Sequence, residues 1–258
     1  MTQAVPRFAA LNAPAHWRTV DFISDLHLQA SEPATFDVWQ RYMQTTQADA
    51  VFMLGDLFEV WVGDDVIGLA GERFEKQCAQ VMRTTGERLA LFFMHGNRDF
   101  LLGKSLLKKY NTCLLDDPCV LQWGDKRWLI SHGDALCIDD LQYMAFRAQV
   151  RTTEWQQTFL AKPLTERQII AKALRAQSEA KKKSGVEYVD VDAPLARAWL
   201  NAANADTLIH GHTHKPAKHD LSVGMQRIVL SDWDAAANPV RAEVLRLTAT
   251  GLERIALA

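Results

Sequence analysis

Short apolar runs that stop abruptly at polar residues set the rhythm of this chain. TVDFIS (19–24), ADAVFMLG (48–55), LALFFMHG (89–96), RWLISHG (127–133) and DTLIHGH (206–212) carry Val, Ile, Leu and Phe at successive positions. Runs this short, apolar on both parities, suit strands covered on both faces. Helical segments alternate with several of them. EPATFDVWQRYMQTTQ (32–47) places Phe36, Trp39 and Met43 on one stripe, and ERFEKQCAQVMRTTG (72–86) does the same with Phe74, Cys78 and Val81, Gly86 serving as a C-cap. Toward the end, AKHDLSV, QRIVLSDW, RAEVLRL and LERIAL read as a run of antiparallel strands, with Gly224 and TATG as turns. The pattern predicts an α/β fold with a mixed sheet, or two packed sheets, and helices outside.

Residues 139–186 break this rhythm. They are helical in composition and contain no convincing strand, with Pro163 dividing an earlier helical stretch from a later one. So long a connection between two core strands predicts a helical cap. Asp192 then N-caps APLARAWLNAA, with Pro194 in the permissive first turn. Residues 1–18 contain no compact apolar segment and are expected to be a flexible lead-in to a domain spanning 19–258.

Composition narrows the class without naming a chemistry. The 258 residues are 48% hydrophobic and 23% charged, with a net charge of −2, so no global basic field points to nucleic acid. No apolar run is long enough for a transmembrane helix. The four cysteines, Cys78, Cys113, Cys119 and Cys137, form no CxxC pair and read as reduced thiols.

The chemistry sits where the apolar runs stop. Their ends are DLH (Asp25, His27), GD (Asp56), GNRD (Asn97, Arg98, Asp99), SHGD (His132, Asp134) and GHTH (His212, His214). Strand ends of an α/β sheet gather at one rim, which brings Asp25, His27, Asp56, Asn97, His132, His212 and His214 together. Carboxylate, amide and imidazole donors without thiolate suit Mn²⁺, Fe²⁺, Co²⁺ or Zn²⁺. Asp25 and His27, like His212 and His214, are two apart and point to one side if the backbone there is strand-like. Asp99 and Asp134 are expected to orient metal-bound imidazoles, and His95 and His210 to lie in the core.

In this order, D-x-H, G-D, G-N-x-D, H-G-D and G-H-x-H resemble the calcineurin-like metallophosphoesterases, over about residues 21–233. The resemblance implies a sandwich of mixed sheets flanked by helices, with two metals sharing Asp56. Asp25, His27, Asp56 and His214 would hold one, and Asp56, Asn97, His132 and His212 the other. Two such ions clamp both oxygens of an in-line phosphoryl displacement and ionise a water. Many members carry His after the Asn, thought to assist the leaving group. Here that position is Arg98, a poor general acid but a bidentate phosphate ligand, which favours a leaving group that is itself a phosphate.

Longer stretches, FISDLHL, LGDLFEVWVGDD, HGNRDFLLGK, SHGDALCIDD, YMAFR and IHGHTHKPA, resemble the UDP-2,3-diacylglucosamine pyrophosphatases of Gram-negative lipid A biosynthesis. This closer resemblance implies Mn²⁺-dependent cleavage to UMP and 2,3-diacylglucosamine 1-phosphate, by a peripheral protein at the cytoplasmic face of the inner membrane, with no obligate protein partner. Asn97, Arg98, His212, Asp140, Ser178 and Lys181 or Lys182 would contact substrate, and the catalytic group would comprise Asp56, Asn97, Arg98 and His132. Apolar residues of the cap, Trp155, Phe159, Leu160, Leu164, Ile169, Ile170, Ala173 and Leu174, offer surface for two acyl chains. Its basic residues, among them Arg147, Arg151, Arg167, Arg175 and Lys181–Lys183, are expected to rest on anionic headgroups. Two other readings stay open: a phosphodiesterase of soluble nucleotides, and a scaffold that binds without catalysis. Glu59, Asp64 and Asp65 have no assigned role.

Overall fold

A computed structural model describes residues 5–68, 73–183 and 189–257, with the side chains of 178–183 outside the description. In chain order the strands are β1 (Ala9–Asn12), β2 (Thr19–Ile23), β3 (Ala50–Leu54), β4 (Ala90–Met94), β5 (Thr112–Leu115), β6 (Cys119–Trp123), β7 (Lys126–Ser131), β8 (Thr207–His210), β9 (Ala217–Ser222), β10 (Met225–Val229), β11 (Glu243–Thr248) and β12 (Gly251–Ala256). The helices are α1 (Pro33–Thr45), α2 (Phe74–Gly86), α3 (Lys104–Lys109), α4 (Leu141–Val150), α5 (Thr153–Leu160), α6 (Leu164–Lys183) and α7 (Ala193–Ala203).

The strands form two six-stranded mixed sheets, ordered β12-β11-β2-β3-β4-β5 and β1-β6-β7-β8-β10-β9. Strands β2 to β5 run parallel, and β7, β8 and β10 form a second parallel group. Their sequences show why. In β3, Ala50, Phe52 and Leu54 face the other sheet, where Leu121, Ile130 and Ile209 meet them, while Val51 and Met53 face the helices. Successive side chains of a strand point to opposite faces, so a strand between two apolar layers must be apolar throughout. The rings of Phe52 and Phe92 stack at 4.5 Å between the sheets, an arrangement that contributes about 0.5–1.5 kcal/mol beyond area burial. Helices α1 and α2 cover one outer face through Trp39, Met43, Cys78 and Val81, and α7 covers the other through Leu195, Ala196 and Trp199.

Three expectations change. Residues 9–12 lie outside a flexible lead-in, because Ala9–Asn12 pairs in parallel with Cys119–Gln122 and Trp17 is buried between the sheets. That strand is too short to show an apolar pattern. The four C-terminal strands form two hairpins in different sheets, β9–β10 and β11–β12, instead of one antiparallel run. Gly86 is no left-handed cap. It ends α2 where a Cβ would stand 2.6 Å from the Cβ of Asn111, so close approach excludes a side chain. Asp192 caps α7 as predicted, accepting from Leu195 N–H at 2.7 Å.

The cap comprises α4, α5 and α6, each shaped by local signals. Asp140 and Thr152 accept from the backbone N–H groups of Tyr143 and Trp155 and so cap α4 and α5, while Pro163 precedes α6. The buried Phe159 stacks on Trp155 at 4.8 Å. Arg167 fixes α6 to the segment after β3: it is 2% exposed, donates to Val62 O at 2.5 Å and pairs with both oxygens of Asp65. Asp64 ties the same segment by accepting from Trp61 Nε1 at 3.1 Å and Gly103 N at 3.0 Å. These contacts give Asp64 and Asp65 their roles. Arg167→Ala should destabilise the protein by about 1–3 kcal/mol, since it orphans the buried Val62 carbonyl. Urea unfolding checks this, and an unchanged midpoint would contradict it.

Candidate metal centre and active site

All seven sequence-predicted donors converge at the carboxyl ends of β2, β3, β4, β7 and β8. They arrive by a route the residue spacing did not reveal. Asp25, His27, Asp56, His212 and His214 have φ of 56°, 49°, 52°, 68° and 52°. DLH and GHTH are therefore left-handed turns beyond the strand ends, and not strand-like. Each such conformation costs a non-glycine residue about 1–2 kcal/mol, a strain that concentrates at functional sites. Leu26 and Thr213 between them turn inward and are buried. Backbone bonds hold the turns to one another: Asp25 N to Gly55 O at 3.1 Å, His27 N to Asp56 O at 3.0 Å and Gly211 N to His132 O at 3.0 Å.

Two glycines make room. A Cβ on Gly96 would stand 2.1 Å from Asp56 Oδ1, and one on Gly211 would stand 2.3 Å from Asp25 Oδ2. Asp99 is the organiser of this loop. Its buried carboxylate accepts from Leu57 N at 2.7 Å and Gly96 N at 2.9 Å. It serves backbone, and not the imidazole it was expected to orient. Burial, reinforced by the Asp56 charge, pushes its pKa up to about 7. Asp134 likewise finds its hydrogen-bond partners elsewhere than histidine. It accepts from Arg147 Nε at 2.8 Å and from the Tyr143 hydroxyl, and the Tyr143 ring lies 5.8 Å from that of His212.

The donor atoms confront one another as ligands of a cation do. His132 donates Nδ1–H to Leu54 O at 2.9 Å, which turns Nε2 toward Asn97 Oδ1 at 3.0 Å. Asn97 Oδ1 also lies 2.9 Å from His212 Nδ1. His27 Nε2 and His214 Nε2 are 3.2 Å apart, and Asp25 Oδ1, buried without a hydrogen bond, is 3.4 Å from His214 Nε2. Acceptors separated by about 3 Å are the edges of a coordination shell with bonds of about 2.1 Å. Asp25, His27 and His214 form one such group, and Asp25, Asp56 and His132 a second. The residues present fit divalent metal.

Electrostatics agrees. Burial, with the Arg98 charge, holds His27 well below the usual imidazole range, and burial beside His132 lowers His212 to about 4. Both are neutral at pH 7, as a metal-binding imidazole must be. Burial would lower His132 too, but Asp56, Asp25 and Asp134 outweigh it and raise that pKa to about 9, so a cation at its Nε2 would have to displace a proton. For Asp25, burial acts upward and the histidines prevail, keeping it ionised.

Arg98 closes the rim. Its Nε lies 3.4 Å from Asp56 Oδ2, and its Nη1 2.7 Å from Glu59 Oε2. Sequence reasoning left Glu59 without a role, gave Tyr143 none and set Arg151 on anionic headgroups; Arg151 instead donates to Gly96 O at 2.8 Å from the cap. Only their place in LFEVW and YMAFRAQVR marks them, with no pattern of spacing. Ser178, Lys181 and Lys182 lie outside the described side chains. His210 is buried as expected, whereas His95 is half-buried and bonded to Leu102 O at 2.7 Å, and all four cysteines are free.

Two mixed sheets carrying donors of this kind on five strand ends define a phosphoesterase, and the chain belongs to the calcineurin-like phosphoesterase family, whose model matches residues 18–216. Among curated relatives, UDP-2,3-diacylglucosamine hydrolase of Chromohalobacter salexigens is 40% identical over 222 residues, covering 83% of this chain and 89% of the relative. The enzymes of that name from Bordetella pertussis and Chromobacterium violaceum are 39% and 44% identical, over 89% and 83% of this chain and 92% and 90% of theirs. Within the phosphoesterases, the chain groups with the UDP-2,3-diacylglucosamine hydrolases.

The tight seat of Asp56 against Gly96 gives a direct check. Gly96→Ala should destabilise the fold by about 1–3 kcal/mol, yet lower Mn²⁺-supported phosphoesterase activity by about a hundredfold or more. Activity close to wild type would show that the Gly96–Asp56 contact is not needed.

Proposed function

We propose that this protein hydrolyses the pyrophosphate bond of UDP-2,3-diacylglucosamine, releasing UMP and 2,3-diacylglucosamine 1-phosphate. The observation that carries the reading is the convergence of donor atoms from His27, His214, Asn97 and His132, with the Arg98 guanidinium beside them. The relatives' shared name supplies the substrate class.

Two Mn²⁺ ions are the proposed cofactors. Asp25, His27, Asp56 and His214 hold one; Asp56, Asn97, His132 and His212 hold the other. When bound, such a pair supplies Lewis acidity and a water ionised at neutral pH for in-line attack on phosphorus. The chain's own residues do the rest. Asp56, between the two sets, offsets repulsion between the cations, and Asn97 adds a neutral oxygen so that charge does not accumulate. Arg98 grips phosphate oxygens. It has no proton to give at neutral pH, and a phosphate monoester leaving group, with a second pKa of about 6, needs none.

Asp140, Ser178 and Lys181 or Lys182 are proposed sugar and phosphate contacts, alongside Asn97, Arg98 and His212. Asp140 also caps α4, so its loss carries a structural cost. The exposed Leu160, Ile169 and Leu174 leave apolar cap surface for lipid, worth about 0.8 kcal/mol per CH₂ buried. No helix among the described residues is long and apolar enough to cross a membrane, and the proposed site of action is the cytoplasmic face of the inner membrane, reached peripherally. The expected basic surface is smaller than composition implied. Arg147, Arg151, Arg167 and Arg175 pair inward with Asp134, Asp65 and Glu59.

The test is Mn²⁺-dependent UMP release from the diacyl substrate, beside the unacylated sugar nucleotide and an aryl phosphodiester. Wild type should favour the diacyl compound strongly, and Asn97→Ala should lose at least about a hundredfold. Equal turnover of the unacylated compounds would leave a phosphodiesterase of soluble nucleotides. No turnover with metal bound would leave a scaffold.

A further inference from the structure

Glu59 sits where three separate parts of the molecule meet. Its backbone is pinned beside the first metal-binding turn, since Glu59 N donates to Leu28 O at 3.1 Å, and Leu28 and Phe58 form a parallel bridge. Two residues on, Trp61 N donates to Arg98 O at 2.9 Å and holds the same loop against the end of β4. The Glu59 side chain is 18% exposed, and its two oxygens divide their partners. Oε2 lies 2.7 Å from Arg98 Nη1 and, at ion-pair distance, 3.5 Å from His27 Nδ1, a buried nitrogen that makes no hydrogen bond. Oε1 pairs with Arg175 Nη2, which α6 of the cap brings to the core.

We propose that Glu59 is a positioning residue that couples the cap to the metal centre. One carboxylate holds the Nδ1 side of His27, so that Nε2 faces His214, and at the same time holds Arg98 and Arg175 on converging paths. A carboxylate against the far nitrogen of a ligating imidazole fixes ring and tautomer. Unlike the common arrangement, this one also docks a mobile-capable element: if the Arg175 contact opens, the charge that orients His27 loses part of its balance. The assignment rests on the metal site proposed above. Its test therefore uses Mn²⁺ alone as the probe, with no substrate.

Free Mn²⁺ is measured by EPR during titration, and hydrogen exchange is followed in α6 up to residue 177, for wild type, Glu59→Gln and Arg175→Ala. Glu59→Gln keeps the shape and removes the charge. It should weaken Mn²⁺ binding about 10–100-fold, the range for loss of such an outer carboxylate, and raise exchange in α6. Arg175→Ala should raise exchange in α6 while leaving Mn²⁺ affinity within about twofold of wild type, because His27 keeps its carboxylate. Thermal melts of both variants report whether they fold. Wild-type values for either readout in Glu59→Gln would overturn the proposal. Should that variant fail to fold, wild-type exchange in Arg175→Ala overturns it equally. Wild type that binds no Mn²⁺ would instead count against the metal site, and so separates the two claims.

Discussion

One buried carboxylate, that of Asp99, holds the centre together. It accepts backbone N–H groups from Leu57 and Gly96 and so fastens the loop after β3 to the loop after β4. Those loops deliver Asp56, Asn97 and Arg98. Asp56 Oδ1 returns the bond by accepting from Arg98 N at 2.9 Å. The contact demands a glycine at 96 and tolerates a left-handed Asp56. Burial next to Asp56 makes the charged form of Asp99 costly, which its raised pKa reflects, and hydrogen bonds from the backbone offset only part of that cost.

From that clamp outward the structure is arranged in shells. Asp56, Asp25, His132 and Asp99 are buried at the sheet ends. Around them lie groups that face both inward and outward: Arg98 and Glu59 on one side, Tyr143, Arg147 and Arg151 on the other. The cap is docked through these charges, through Arg167 and Asp65, and through Phe159, Ala171, Trp155, Leu164 and Ile170, which pack into the main core. Its basic residues therefore serve attachment first. This leaves its exposed apolar positions, Ile169 above all, as the features that distinguish it from a simple lid.

How far the sequence showed this depends on range. The strand ends could be read because β2, β3, β4, β7 and β8 are covered on both faces, and continuous apolar runs announce their own limits. The donor set could be read because Asp, Asn and His stand at those limits in five places. Strand β1 could not, since Ala9–Asn12 is half-exposed and draws its pairing from β6, more than a hundred residues away. Backbone conformation at Asp25, His27, His212 and His214 was misread, because i, i+2 spacing gives convergence in strands and, here, in paired left-handed turns alike. Asp99 and Asp134 were given imidazole partners by proximity in sequence, whereas the fold supplies them with backbone amides and cap arginines. Glu59 could be noted but given no role, because its three partners come from distant segments.

The measurement that tests the account most directly is anomalous diffraction from crystals grown with Mn²⁺. The account predicts two manganese peaks sharing Asp56, one also bound by Asp25, His27 and His214, the other by Asn97, His132 and His212. A single peak, or two with Asp56 bound to neither, would contradict it.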